Sequence, residues 1–453
     1  MMDILALIQW LYPTLSKTNM RRMSRIIFAM LAMTGRVTML GISRWAGKGG
    51  SYRTVQRFFN QAIPWVMTFW MFFYQHLYKP EDVYILAGDE SVITKSGKHT
   101  YGLDRFFSGT LGKPVKSIAI FALSLINVQE RRSYPTMVEQ VVRTEAEKEA
   151  TKARTKKMKT KRDKKAAPKS KPGRPKGSQN RDKTRVELTP ELMRIQKMVQ
   201  KQLAVIQGVI PVTYLALDGH FGNNNALQMV LQCGLHLISK LRCDAALYFP
   251  YDGPYSGRGR YRMYGAKMDY RNMPAKYLVE TTVDEDVETH IYQAQMLHKA
   301  FAQPLNVVII TKINLKTGAF ANVNLFSNDR DLSFDQLIDY YSLRFQIEFN
   351  FRDAKQHWGL EDFMNIKEIP LTNALNLSLF MVNVSHALLH DFRQTSPYSS
   401  VLDLKAYFRA SKYFEETIKL LPEKPEPILL EQIFGNVASL GSIHYVNVPI
   451  FSP

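Results

Sequence analysis

The stretch YYSLRFQIEFNFRDAK, residues 340–355, crowds aromatic side chains together with two arginines, a lysine and a glutamate. An α-helix turns about 100° per residue. Taking Tyr341 as the origin, Arg344 falls at about −60°, Glu348 at about −20°, Arg352 at about +20° and Lys355 at about −40°. One face of a continuous helix would then carry three cations, a phenol and a single carboxylate within about 80° of arc. A solvated helix spreads its charges into pairs four residues apart. The bland reading of this face is such a salt-bridged surface. The sharper reading is a carboxylate that holds a metal, flanked by groups that hold phosphate.

The whole chain favours a polyanionic partner. Its 453 residues carry a net charge of +20 and are 45% hydrophobic, enough for a sizeable core. Such a balance points first to nucleic acid and second to an anionic membrane surface. The two cysteines, Cys233 and Cys243, fit no zinc spacing and exclude a disulfide framework, so a reducing compartment is expected. The apolar runs at 26–33 and 65–74 fall short of the ~20 residues that span a bilayer. No signal-peptide pattern opens the chain. The expectation is a cytoplasmic protein with no membrane association.

Residues 1–80 read as helical and as a DNA-binding domain. NMRRMSRIIFAMLAMTG (19–35) predicts a helix stopped by Gly35. Residues 37–61 predict two short helices around a glycine turn, with Ser51 as N-cap of the second. That second helix would expose Arg53, Gln56, Arg57 and Asn60, side chains suited to phosphates and base edges, with Arg53 and Arg57 binding DNA.

Strand patterns start at Val83. The runs 83–95 and 117–127 predict strands, the second almost wholly apolar and therefore central. A helix over 188–208, a strand ending at Asp218, a helix closed by Gly234 and a strand over 235–242 continue an α/β layer. The expected divisions are 81–150 and 187–242 as the first two parts of a catalytic domain, 243–330 as a β-rich insertion, 331–395 as its third part and 396–453 as a helical C-terminal region. His386 and His390, one helical turn apart, could bind metal, although buried or capping histidines are commoner.

One tract stands apart, at 151–186. Residues 152–185 hold 16 Lys plus Arg against Asp163 and Asp182, or +14 of the total +20. Such a composition cannot bury a core and predicts a flexible basic linker. Its KPGRPKG (171–177) resembles an AT-hook, in which Arg174 would enter the minor groove of A·T-rich DNA.

Three acids stand out. Asp89 follows YILAG and Asp218 follows TYLAL, each a carboxylate held at the end of a buried run. Glu348 would come from the helix. Hard divalent cations such as Mg²⁺ take carboxylate oxygens and keep free positions for water and phosphate. Two such ions can serve both the attacking and the leaving oxygen of a phosphoryl transfer. For Asp218 the rival is a simple turn, since Asp218-Gly219 is a good turn dipeptide.

Tyr341, Arg344, Glu348 and Lys355 have the spacing Y-(2)-R-(3)-E-(6)-K, which resembles the signature of the bacterial "insertion sequence four" family of DDE transposases. Residues 82–128, 210–242 and 300–393 follow the general pattern of that family. The resemblance implies an α/β fold with a ribonuclease H-like catalytic core and a β-rich insertion between the second and third acids. It implies the triad Asp89, Asp218 and Glu348 as catalytic residues and metal ligands, with Glu90 and Asp104 as neighbours of the first. The wide and nearly equal separations of the three suit an enlarged core. It implies that Tyr341, Arg344 and Lys355 bind DNA phosphates, and Arg352 would share their face. The cofactor would be two Mg²⁺ ions, which Mn²⁺ could replace. The partners would be double-stranded DNA, as terminal inverted repeats and target, handled by a homodimer. The function implied is cut-and-paste transposition. Rival readings are a nuclease or resolvase without strand transfer, and a non-catalytic DNA-binding protein derived from a transposase. Trp358 could stack a base or pack beneath the helix.

Overall fold

The computed structural model describes residues 3–109, 111–149, 182–255, 257 and 259–444. Arg174 and the AT-hook-like stretch lie outside the described residues.

Among the described residues a mixed sheet of twelve strands forms the spine. Its first half is β1 (Tyr84–Thr94), β2 (Asp104–Ser108), β3 (Lys113–Asn127), β4 (Arg132–Val141), β5 (Tyr214–Ala216) and β6 (His236–Leu241). β3 is central, as its unbroken apolar run predicts, and is buried from Ser117 to Asn127. β1 pairs antiparallel with β3 on one side, while β2 and β4 share the other edge of β3. β5 then pairs parallel with β1, and β6 parallel with β5. Three antiparallel strands followed by two parallel ones is an order consistent with the expected ribonuclease H-like core.

The second half is β7 (Leu247–Pro250), β8 (Tyr264–Lys267), β9 (Leu278–Asp284), β10 (Val287–His298), β11 (Leu305–Asn314) and β12 (Phe320–Ser327). These strands do not form a separate layer. β12 pairs antiparallel with β6, from Asn324 opposite Leu241 to Ser327 opposite Ile238. The segment between the second and third acids therefore continues the main sheet. The physical reason is the outer edge of β6, whose unpaired backbone groups are satisfied by the apolar hairpin of β11 and β12.

Helices cover both faces. The N-terminal set is α1 (Ile4–Ile8), α2 (Lys17–Ala32), α3 (Met39–Trp45), α4 (Tyr52–Phe59) and α5 (Trp65–His76). Ser16, Thr38 and Ser51 cap α2, α3 and α4 by accepting hydrogen bonds from backbone N–H groups in the first turn of each helix. Next come α6 (Pro190–Ile206), capped by Thr189, and α7 (Asn224–Gln232). The last five are α8 (Phe334–Leu343), α9 (Gln346–His357), α10 (Glu368–Phe392), α11 (Val401–Ile418) and α12 (Pro427–Ser439). The N-terminal helices share one hydrophobic core with the sheet and with α10 and α11. Lys405 and Arg409 of α11 reach the carbonyls of Met30 and Ala32 at the end of α2.

The expected continuous helix over 340–355 is instead two helices. Arg344 and Phe345 form a tight turn in which Ile347 N–H bonds Arg344 C=O at 3.1 Å and Glu348 N–H bonds Phe345 C=O at 3.0 Å. Nothing in local propensity breaks the chain here. Packing does: Leu337, Tyr340 and Leu343 of α8 sit on Ile85, Ala87, Ala216 and Ile238, whereas Ile347, Phe351 and Ala354 of α9 join the main core.

His386 and His390 do not form a metal pair. His386 packs edge-on to Tyr134, and its burial drives its pKa down to about 3. His390 is exposed beside Asp391. Trp358 is fully buried, so it packs and does not present a base platform. No helix among the described residues is long and apolar enough to cross a membrane.

Candidate active site

Strand alternation sets which acids can meet. Ile85, Ala87 and Asp89 point to one face of β1, while Leu86, Gly88 and Glu90 point to the other. On β5, Ala87 pairs with Ala216 in parallel register. Asp89 and Asp218 each stand two residues beyond that pair, Asp89 still within β1 and Asp218 at the head of the turn that follows β5. They thus project side by side from the face that α8 covers. Each acid has a local hydrogen bond: Asp89 accepts from the Glu90 N–H at 2.8 Å, and Asp218 from the His220 N–H at 3.2 Å. The latter shows that Asp218 does cap the turn at Gly219–Phe221, as its Asp-Gly dipeptide predicts. The turn is also what holds the carboxylate at the sheet edge. It packs tightly against β6: a Cβ on Gly222 would lie 2.2 Å from the Lys240 carbonyl oxygen. The Asp218 carbonyl accepts from Ser239 Oγ at 2.7 Å.

Glu348 enters from α9. Asn350, two residues on, is buried and donates to Ser133 Oγ at 2.8 Å and Ser124 Oγ at 3.4 Å, fixing α9 on β3 and β4. Sequence reasoning missed Asn350. The sequence does not mark it, since Gln346, one turn earlier on α9, is an amide too.

Arg344 joins the acids. Its Nη1 donates to Asp89 Oδ2 at 3.0 Å and its Nη2 to Glu348 Oε1 at 3.4 Å. Its Nε is buried with no partner among the described residues. Tyr341 lies beside it, with the guanidinium 5.8 Å from the ring centroid. Burial raises the pKa of Asp89; Arg344 opposes this, and Asp218 adds to it. Glu348 shifts up for the same reasons: burial first, with Arg344 opposing and Asp89 and Asp218 reinforcing. Burial also pushes up the Tyr341 phenol. For Arg344 burial alone would favour deprotonation, but Asp89, Tyr341 and Glu348 outweigh it and hold it charged.

Lys355 reaches β1 three residues past Asp89, where Nζ donates to the Val92 carbonyl at 3.2 Å; it also pairs with Glu361 at 3.2 Å. Arg352 lies one turn beyond Glu348 on α9. It is exposed, pairs with Asp353 at 3.2 Å and lies over Phe349. The tight turn at 344–345 separates Tyr341 from Glu348, Arg352 and Lys355, so the wheel drawn from Tyr341 does not span the stretch, while these last three still share α9. Arg53 and Arg57 are exposed on α4 as predicted, together with Gln56 and Asn60. Glu90 points to the opposite face, toward Glu191 and Arg194 of α6. Asp104 lies on β2 beside Arg143.

The donor set fits a hard divalent cation. Three carboxylates, on a strand, a turn and a helix, feel one another's charge, and a guanidinium already bridges two of them. Among the described residues no three acids are closed into a ready-made metal cluster, and Arg344 bridges Asp89 and Glu348.

A family model described as DDE superfamily endonuclease matches residues 10–300. No curated protein matches the chain. The match includes Asp89 and Asp218 and stops before Glu348, so the third acid rests on the geometry above. Since the match spans more than half of the 453 residues, the chain belongs to the DDE superfamily endonuclease family.

Proposed function

We propose that this endonuclease is a transposase of the "insertion sequence four" type that cuts an element from DNA and joins it to a new site. Asp89, Asp218 and Glu348 would be its catalytic acids. The observation that carries this reading is the placing of Asp89 and Asp218 two residues beyond the paired Ala87 and Ala216, with Arg344 linking Asp89 to Glu348. Such a set, rigidly held and partly buried, suits phosphoryl transfer.

The three carboxylates would hold Mg²⁺ or Mn²⁺, which when bound supplies Lewis-acid activation of the attacking hydroxyl and charge relief for the leaving oxygen. The chain's own groups orient the substrate. Arg344 offers a planar fork to a phosphate, and Tyr341 a hydroxyl beside it. Lys355, tethered to β1 through Val92, supplies a point charge near the strand that carries Asp89. Water would attack first and release a 3′-hydroxyl, and that hydroxyl would then attack target DNA. Arg53 and Arg57 on α4 and the basic tract with Arg174 would touch the duplex away from the cut. A homodimer would bring two ends together.

The test is joining. Purified protein, Mg²⁺ and the DNA that flanks the gene should yield a free 3′-hydroxyl end and then its covalent junction to a second plasmid. Cleavage without any junction would reduce the protein to a nuclease.

A further inference from the structure

Arg344 holds two of the three acids at once, in a pocket where its side chain is only 11% exposed. The third acid, Asp218, adds its field to the same guanidinium. The orphaned Nε lies in the same buried spot and makes no compensating bond among the described residues. A purely structural salt bridge at this depth would be expected to satisfy its donors. This guanidinium instead occupies the space between the carboxylates where a divalent ion would bind, and it supplies the positive charge that three crowded acids require.

We infer that Arg344 is the stand-in cation of the DNA-free protein, and that it must leave Asp89 and Glu348 before a divalent metal can bind. The inference rests on the reading of these acids as metal ligands and adds an order to it. A phosphate arriving with DNA offers the planar fork an equivalent anionic partner. Once Arg344 turns to that phosphate, the carboxylates are released for the ion. Neither partner then fills the site efficiently alone, and the acids cannot load metal and act on stray water before a substrate is seated. The tight turn at 344–345 puts Arg344 between two helices that pack on different parts of the core, so its side chain can move without dragging either helix.

The test is Mn²⁺ binding to the full-length protein without DNA, read as loss of the free Mn²⁺ resonance signal. Wild type should bind weakly. Arg344→Gln should bind on the order of tenfold to a hundredfold tighter, the worth of the charged hydrogen bonds that the ion no longer has to displace. Arg344→Lys, which can pair with only one acid, should fall between. Arg352→Gln, which removes an exposed charge on the same segment, should match wild type. Equal affinity in wild type and Arg344→Gln would overturn the inference and leave the nuclease reading standing. Equal tightening in Arg352→Gln would also overturn it, since a general field would then suffice. If Arg344→Gln does not fold, an Arg344→Lys protein with wild-type affinity has the same force. No Mn²⁺ bound by any of these proteins would sink both the inference and the reading beneath it.

Discussion

Asp89 and Asp218 sit two residues beyond Ala87 and Ala216, which face each other in parallel register on β1 and β5. A shift of one residue along β1 would carry the Asp89 carboxylate to the opposite face of the sheet. This relationship separates Asp89 from its neighbour. Glu90→Ala should therefore cleave DNA within a few-fold of wild type, whereas Asp89→Ala should lose on the order of a thousandfold or more in cleavage rate. Steady-state nicking rates of the two variants decide the matter. Inactivity of Glu90→Ala with normal folding would move the first acid to the other face.

The cations of residues 340–355 should divide in their effects. Lys355 is bound to β1 at Val92, and Arg352 only to its neighbour Asp353. Lys355→Ala should slow cleavage on the order of 100-fold by letting the phosphate drift an ångström or so. Arg352→Ala should stay near wild type in cleavage. The same rate measurement on both variants checks this, and equal losses would restore the single charged face.

The sequence made the strands and the two aspartates legible because buried β runs ending in a carboxylate are uncommon and strongly patterned. YILAGD became a strand that carries Asp89 within it, whereas in TYLALD the strand stops at Ala216 and Asp218 caps the turn that follows. The break at Arg344–Phe345 was not legible. Every residue from 340 to 355 tolerates a helix, and the break comes from two helices seeking different parts of the core. The junction of β12 with β6 was hidden for a similar reason, since pairing between strands far apart in the chain leaves no local mark. Nor could Asn350 be told from an ordinary polar residue until Ser124 and Ser133 were seen opposite it.

Asn350 yields a stability prediction. Replacement by Leu leaves two buried hydroxyls without their donor, at a cost of about 1–3 kcal/mol. Denaturant unfolding should show the loss, and cleavage should fall as well because Glu348 lies two residues away on the same helix. Unchanged stability would mean that α9 is held by its apolar face alone.

His386 predicts an acid sensitivity. Its pKa falls from 6.5 to about 3 on folding, because burial penalises the charged ring and Arg132 and Arg393 add to that. Between those values the unfolded chain binds the extra proton, so stability is lost as pH falls from 6.5 toward 3, by no more than about 1.4 kcal/mol per pH unit. His386→Leu should flatten the pH dependence of the unfolding free energy in that window. An unaltered slope would assign the acid sensitivity to other groups.

The basic tract should act through salt. Deleting 152–181 across a short Gly/Ser linker, which keeps the Lys183 carbonyl that accepts from Asn224 at 2.8 Å, should leave the fold intact and weaken DNA binding. The slope of log affinity against log salt should flatten by about 0.9 for each phosphate no longer neutralised. Within the tract, Arg174→Ala should weaken binding to A·T-rich more than to G·C-rich duplexes, as competition binding would show. An unchanged salt slope in the deletion variant would contradict a DNA-binding role for this tract.

The central claim is that Asp89, Asp218 and Glu348 form one metal-dependent cleavage site, and plasmid nicking tests it most directly. Supercoiled plasmid is incubated with wild type and with the three single Ala variants, with and without Mg²⁺, while DNA binding is measured in parallel. Wild type should nick only with Mg²⁺, and all three variants should bind DNA yet fail to nick. Normal nicking by Glu348→Ala, the acid outside the family match, would contradict the account.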